Sequence, residues 1–142
     1  MIQNKKYAII RKELGMFLVR GFTCFNAHLI AYVIVDLFRE DYLEIWLNDL
    51  HSNIYSGNNS MIQEENNTIT MTHHYEDDYI FTCSKEQFLN LINQWNKIKL
   101  KDKEFIIIEL DESNIIHLYA SDAVPADYPF ELPPILEPRR TL

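Results

Sequence analysis

The sequence predicts an α+β domain in which an antiparallel β-sheet carries two main amphipathic helices and is followed by a proline-rich strap. Three stretches lead to this prediction: a capped helix over about 84–99, a hairpin over 105–120 that follows it, and another hairpin over 68–83 that precedes it. With 142 residues the chain can bury a core without disulfides, so we expect one domain covering residues 1–142.

The helix over 84–99 is defined by its cap and its apolar stripe. Ser84 and Gln87 form a capping-box pattern, in which the hydroxyl and the side-chain amide each satisfy a free backbone N–H. Apolar residues then recur at helical spacing, namely Phe88, Leu91, Ile92, Trp95 and Ile98. Because this stripe needs a partner, we expect the helix to lie over the hairpin that follows it.

A second helix is predicted over about 40–56. Acidic residues occupy its first turn, where they interact favourably with the helix dipole, and Gly57 is a residue type that commonly ends helices. Its apolar stripe consists of Leu43, Trp46, Leu47, Leu50 and Ile54. We therefore expect the helix to stop before a polar loop over 57–67.

The N-terminal part of the chain allows two interpretations. Residues 16–25 and 28–35 are rich in β-branched and aromatic side chains, which favours two strands. A buried helix over 27–38 is the alternative, because periodicity cannot assign an entirely apolar run. Residues 1–13 fit either one or two helical turns or an edge strand.

The hairpin that precedes the capped helix has a polar tip. Residues 68–72 alternate between threonine and apolar side chains, which is typical of a half-buried strand, and we pair them with residues 79–83. The connection between these strands contains His74, Tyr75, Glu76, Asp77 and Asp78, which we expect to be exposed.

The C-terminal residues 123–142 contain all five prolines of the chain. Proline cannot extend a sheet, so we expect an extended strap that lies on the body of the domain. In the hairpin over 105–120, Phe105 and Ile107 face away from the helix. An open apolar face of that size is unusual, and we expect the N-terminal half or the strap to cover it.

No motif for catalysis or for cofactor binding is present, and we predict neither. Three glycines in the whole chain exclude the usual phosphate-binding loops. His73, His74 and Glu76 could form the metal site of a small metal-dependent enzyme, but adjacent residues of a strand point to opposite faces. A solvated hairpin tip or an acidic binding surface is the preferred interpretation.

The net charge of −8 indicates the kind of partner to expect. Residues 36–78 contain ten acidic residues and a single basic one, Arg39. Such a field repels nucleic acid and steers a basic protein toward the surface. No apolar run is long enough for a signal peptide or a membrane span, and two cysteines fit a reduced cytoplasmic setting.

The candidate partner-binding residues lie in three places. The first is the hairpin tip, the second is the loop before it, and the third is the turn of the hairpin over 105–120. In that order they are Tyr75, Glu76, Asp77, Asp78 and Tyr79, then Glu64 and Glu65, then Asp111 and Glu112. We expect their carboxylates to occupy the places of substrate phosphates in a basic cleft, with aromatic side chains as anchors.

Residues 79–96, followed by a lysine-rich turn and the strand that begins at Glu104, resemble small bacterial immunity proteins. In those of the polymorphic-toxin and contact-dependent growth-inhibition systems, a strand, a Ser-Lys-Glu cap, a helix with a tryptophan and another strand recur. The resemblance covers roughly residues 68–120 and is one of pattern. It implies a cytoplasmic domain that binds one cognate toxin and blocks its active site or substrate surface.

A type III secretion effector chaperone is the alternative binding protein, since such chaperones are also small, acidic and α+β. They are usually dimeric and end in an amphipathic helix. The proline strap at 123–142 takes the place of that helix here, so we expect an immunity protein and a monomer rather than a dimer.

Overall fold

The computed structural model describes residues 6–38, residue 43 and residues 53–135. Two complete helices and eight strands lie in these residues, and the predicted α+β class with antiparallel sheet is confirmed. In chain order they are β1 Lys6–Glu13, β2 Met16–Phe22, α1 Phe25–Leu37, β3 Ile54–Ser56, β4 Ser60–Glu65, β5 Thr68–His73, β6 Ile80–Ser84, α2 Lys85–Ile98, β7 Phe105–Leu110 and β8 Ile116–Ser121.

The described strands form two separate four-stranded antiparallel sheets. The first has the order β2-β1-β7-β8 and the second the order β3-β4-β5-β6. Strand β1 lies in the interior of the first sheet, where Ile9 is opposite Gly21 of β2 and Ile107 of β7. The strand alternative for the N-terminus is therefore correct, but its edge position is wrong.

Helix α1 lies in the core and contacts strands of both sheets. Seven of its thirteen residues are buried, whereas the face that carries Phe25, His28 and Tyr32 is only partly covered. The prediction of a strand over 28–35 is wrong, and the alternative of a buried helix over 27–38 is right. A strand over 16–25 is confirmed as β2, which ends earlier, at Phe22. Cys24 instead caps α1, because its Sγ accepts a hydrogen bond from the backbone N–H of Ala27 at 3.4 Å.

The helix predicted over 40–56 falls mostly outside the described residues. Leu43 is helical and buried, in agreement with the prediction, but residues 54–56 form strand β3, so the predicted helix over these last residues is wrong. Pairing of Tyr55 with Ile62 of β4 competes with the helical pattern there. Gly57 lies in the β3–β4 connection, where a Cβ atom would overlap the carboxylate of Asp36.

Helix α2 is the element that the sequence predicts best. The capping box is present, since Ser84 Oγ accepts from Gln87 N and Gln87 Oε1 accepts from Ser84 N, both at 3.0 Å. The amide of Gln94 donates to Ile116 O at 3.2 Å and accepts from Leu118 N at 2.8 Å. The helix thereby covers the edge of β8, which would otherwise offer free backbone groups.

The strap covers the outer face of the first sheet, as predicted. Phe105 and Ile107 form a second apolar cluster with Tyr7, Ile9 and Tyr128 of the strap. Residues 123–135 are held by hydrogen bonds at two further points: the Tyr7 hydroxyl donates to Asp127 Oδ1 at 3.0 Å, and Arg11 Nη1 donates to Pro133 O at 2.7 Å. The rest of the predicted strap, residues 136–142, lies outside the described residues.

Candidate partner-binding surface

The connection between β5 and β6, residues 74–79, forms the predicted tip. Residues 74–78 are exposed, and Tyr75 has 75% of its surface in contact with solvent. A hydrogen bond of 3.1 Å from Tyr79 N to Glu76 O closes the turn, and Tyr75 N donates to His73 Nδ1 at 3.2 Å. The tip is therefore an ordered turn that presents its side chains outward.

The three acidic side chains of the tip have no internal counter-ion in the described part of the chain. The ion pairs found there between basic side chains and carboxylates lie elsewhere, for example Arg20 with Glu13 and Lys103 with Asp122. Glu76, Asp77 and Asp78 thus present adjacent negative charges to solvent. Carboxylates that are not neutralised from within can attract a cationic partner.

An aromatic cluster lies directly behind the tip. Its rings come from β2, from one face of α1, from the end of β5 and from the tip, and each contacts at least one other. They belong to Phe22, Phe25, His28, Tyr32, His73, Tyr75 and Tyr79. Helix α1 and the β5–β6 hairpin thereby build a single surface.

His28 occupies the inner part of this cluster. Its ring stacks on Phe22 with centroids 3.8 Å apart, and its Nδ1 atom is 2.7 Å from the hydroxyl of Tyr79. Burial, together with the nearby charge of His73, lowers the pKa of His28 to about 4. Burial and the charge of Glu76 raise the pKa of Tyr79, so at neutral pH an uncharged imidazole faces a protonated hydroxyl.

Tyr79 is not the exposed contact that the sequence suggests. Only 8% of its surface is accessible, and it contributes by holding His28 and by packing against Phe25 with ring centroids 5.3 Å apart. The exposed apolar side chains here are Phe25 at 60% and Ile80 at 56%, neither of which we predicted. Alternation in β6, where Phe81 is buried, could have revealed Ile80, whereas Phe25 was hidden by its assignment to a strand.

Glu64 and Glu65 lie far from the tip. They end β4 beside the turn at 66–67, where Glu64 Oε1 accepts from Asn67 N at 3.1 Å. The six residues of β5 separate this turn from the tip, a distance of roughly 20 Å. The structure therefore does not join these two acidic groups into one site.

Asp111 shapes a turn, and Glu112 is exposed on it. Asp111 Oδ1 accepts from Ser113 N at 2.8 Å and from Ile115 N at 3.0 Å, and its other oxygen is 3.3 Å from His117 Nε2. The hydrogen bond from Ile115, helped by His117 and Ser113, lowers the pKa of Asp111. This turn lies with the Glu64 side of the molecule, because both turns contact the start of α2.

The two adjacent histidines have separate environments. His74 Nε2 is 3.0 Å from Gly57 O and 3.1 Å from Ser56 Oγ, whereas His73 packs against Tyr32 with ring centroids 4.9 Å apart. Within residues 6–38, 43 and 53–135, no group of three or more histidine, cysteine or acidic side chains is arranged to hold a metal ion.

No family model matches the chain, and no curated protein or solved structure is significantly similar to it. Neither of the two described helices has the length and apolar character needed to cross a membrane.

Proposed function

We propose that this protein is an immunity protein, which binds one cognate basic toxin domain in the cytoplasm and covers its active site or substrate surface. The observation that carries the proposal is the tip, where Glu76, Asp77 and Asp78 are exposed together without an internal counter-ion in the described residues. A toxin that cleaves nucleic acid needs a positive cleft, and such a cleft attracts these carboxylates.

The surroundings of the tip support binding to a protein. Exposed Tyr75 and Ile80 are close to the charges in sequence, exposed Phe25 contacts Tyr79 of the same turn, and aromatic side chains are frequent anchors of protein interfaces. In the proposed complex the carboxylates occupy positions that substrate phosphates take in the free toxin, and the apolar side chains exclude water around them. An effector chaperone and a metal-dependent enzyme gain no comparable support from the described residues.

Acidic residues away from the tip, at the end of β4 and in the β7–β8 turn, provide a matched control. A tip variant with Glu76→Gln, Asp77→Asn and Asp78→Asn removes three charges, and a control with Glu64→Gln, Glu65→Gln and Glu112→Gln removes three elsewhere. Both variants have the same net charge, so any difference between them reports the position of the charges.

The test combines a growth assay with association kinetics. Toxin domains encoded beside this gene are co-expressed with each variant, and the association rate of the pair that rescues growth is measured at several salt concentrations. We expect the tip variant to associate about tenfold or more slowly at low salt and to lose most of the salt dependence, while the control changes little. Equal association rates for both variants, or failure of this protein to rescue growth from any neighbouring toxin, would contradict the proposal.

A further inference from the structure

We infer that the aromatic cluster beside the tip binds guanidinium groups, which arginines of the partner place against the exposed rings of Phe25 and Tyr75. The inference deepens the proposed function and depends on it for the identity of the partner. Its chemistry depends only on the side chains of this surface.

Exposed aromatic rings lie next to carboxylates that have no internal counter-ion in the described residues. A cation is attracted to the face of an aromatic ring, and the attraction grows when several rings and a carboxylate meet at one place. Phe25 contacts Tyr79, Tyr79 contacts His73, and His73 contacts Tyr75, with centroid distances between 5.3 and 6.0 Å. Glu76, Asp77 and Asp78 continue the chain directly from the last of these rings.

Within the described residues, no lysine or arginine of this chain makes a cation–π contact with a ring of the cluster. Its two cation–π contacts lie elsewhere, with Arg11 over Phe105 and Lys12 over Phe17. Buried His28, whose pKa is lowered to about 4, stays uncharged at neutral pH and does not repel an incoming cation. The exposed ring faces are thus available to a positive group from outside.

The chemistry of this surface favours arginine over lysine. A guanidinium is planar, stacks on aromatic rings and can donate two parallel hydrogen bonds to one carboxylate, whereas an ammonium is compact and strongly hydrated. Where an exposed ring lies next to a carboxylate, a guanidinium can stack its face on the ring and donate hydrogen bonds from its edge to the carboxylate. An anionic or purely aliphatic anchor would leave the carboxylates of Glu76, Asp77 and Asp78 unpaired.

The experiment uses the whole protein and three peptide probes: hexa-arginine, hexa-lysine and the uncharged hexa-citrulline. Binding is followed by NMR of the aromatic side chains and by titration calorimetry at low salt. The variants Phe25→Leu and Tyr75→Leu remove one exposed ring each. Phe130→Leu is the matched control, because Phe130 is 59% exposed, close to the 60% of Phe25, and lies on the strap.

We expect hexa-arginine to shift the resonances of Phe25, His73 and Tyr75 and to bind about fivefold more tightly than hexa-lysine, with no binding of hexa-citrulline. Each ring variant should weaken hexa-arginine binding about two- to fivefold without changing hexa-lysine binding, and Phe130→Leu should change neither.

Equal affinity for the two charged peptides, unchanged by either ring variant, overturns the inference and leaves the charge-based proposed function standing. Absence of any binding by hexa-arginine also overturns it. If the arginine preference and its loss in the ring variants are found but the tip variant associates normally with every neighbouring toxin, the guanidinium site stands and the proposed function fails.

Discussion

Replacing His28 by glutamine should remove a defined part of the pH dependence of folding. In the folded protein burial lowers the pKa of His28 to about 4, while an unfolded histidine titrates near 6.5. Between these values the unfolded chain binds a proton that the folded chain does not, so the free energy of unfolding falls as the pH decreases from about 6.5 to about 4. Above this window His28 is neutral in both states and contributes no slope.

The magnitude follows from the size of the shift. Each pKa unit corresponds to about 1.4 kcal/mol, so the full displacement gives a loss of about 2 kcal/mol between about pH 8 and pH 5. Water reaches part of the His28 ring and screens the effect, and we therefore expect a loss of about 1–2 kcal/mol from this residue. For a protein of ordinary stability this is a large fraction of the total.

The assay is urea unfolding of the wild type and of His28→Gln at both pH values, followed by circular dichroism. The variant should be less stable at about pH 8, because the stacking on Phe22 is lost, yet it should lose about 1–2 kcal/mol less than the wild type on acidification. Tyr79→Phe is the control: it removes the hydrogen bond to His28 but retains the burial, so it should keep most of the wild-type pH dependence. If His28→Gln shows the full wild-type loss, burial of a neutral imidazole is not the cause.

Three further substitutions test contacts that hold the fold together. Gly21→Ala places a methyl group against the Tyr128 hydroxyl and close to Leu132. We therefore expect the free energy of unfolding in urea to fall by about 1–3 kcal/mol and the strap to be cleaved faster by proteases. An unchanged cleavage rate would show that the strap is not displaced. Asp36→Ala removes the acceptor for the backbone N–H groups of Asn58, Asn59 and Ser60 and for the Ser60 hydroxyl. The free energy of unfolding should fall by about 2 kcal/mol, and a fall below about 0.5 kcal/mol would mean that water replaces the carboxylate fully. Ser84→Ala breaks the capping box of α2 and should lower stability by about 1 kcal/mol. Ser113→Ala is the comparison at an exposed serine outside any helix, and equal effects of the two changes would rule out the cap as the reason.

Elements with a local signature could be predicted from the sequence. The cap of α2 depends on Ser84 and Gln87 alone, and the alternation in β5 reports directly that Ile69 and Met71 are buried. The strap follows from the chemistry of proline. These features need no knowledge of distant residues, because the signal and the structure occupy the same few positions.

Features that depend on distant contacts could not be predicted in the same way. Helix α1 is apolar around most of its circumference because strands of both sheets pack against it, and an apolar run without a clear helical period fits a strand equally well. Half of the candidate site was missed for the same reason. The acidic tip is contiguous in sequence. Phe25 and Tyr32, however, contact the tip and the end of β5 only because α1 packs there, and the local sequence does not specify that packing.

The interior position of β1 has a consequence for the order in which the protein folds. This strand is made well before its partner β7, because Ile9 is paired with Ile107. On a ribosome that adds about 5–20 residues each second, β1 waits on the order of ten seconds before that partner exists. During this interval its apolar edge is open to pairing with other nascent chains, so chaperones or slow synthesis should affect the yield of this protein more than the stability of the finished fold suggests.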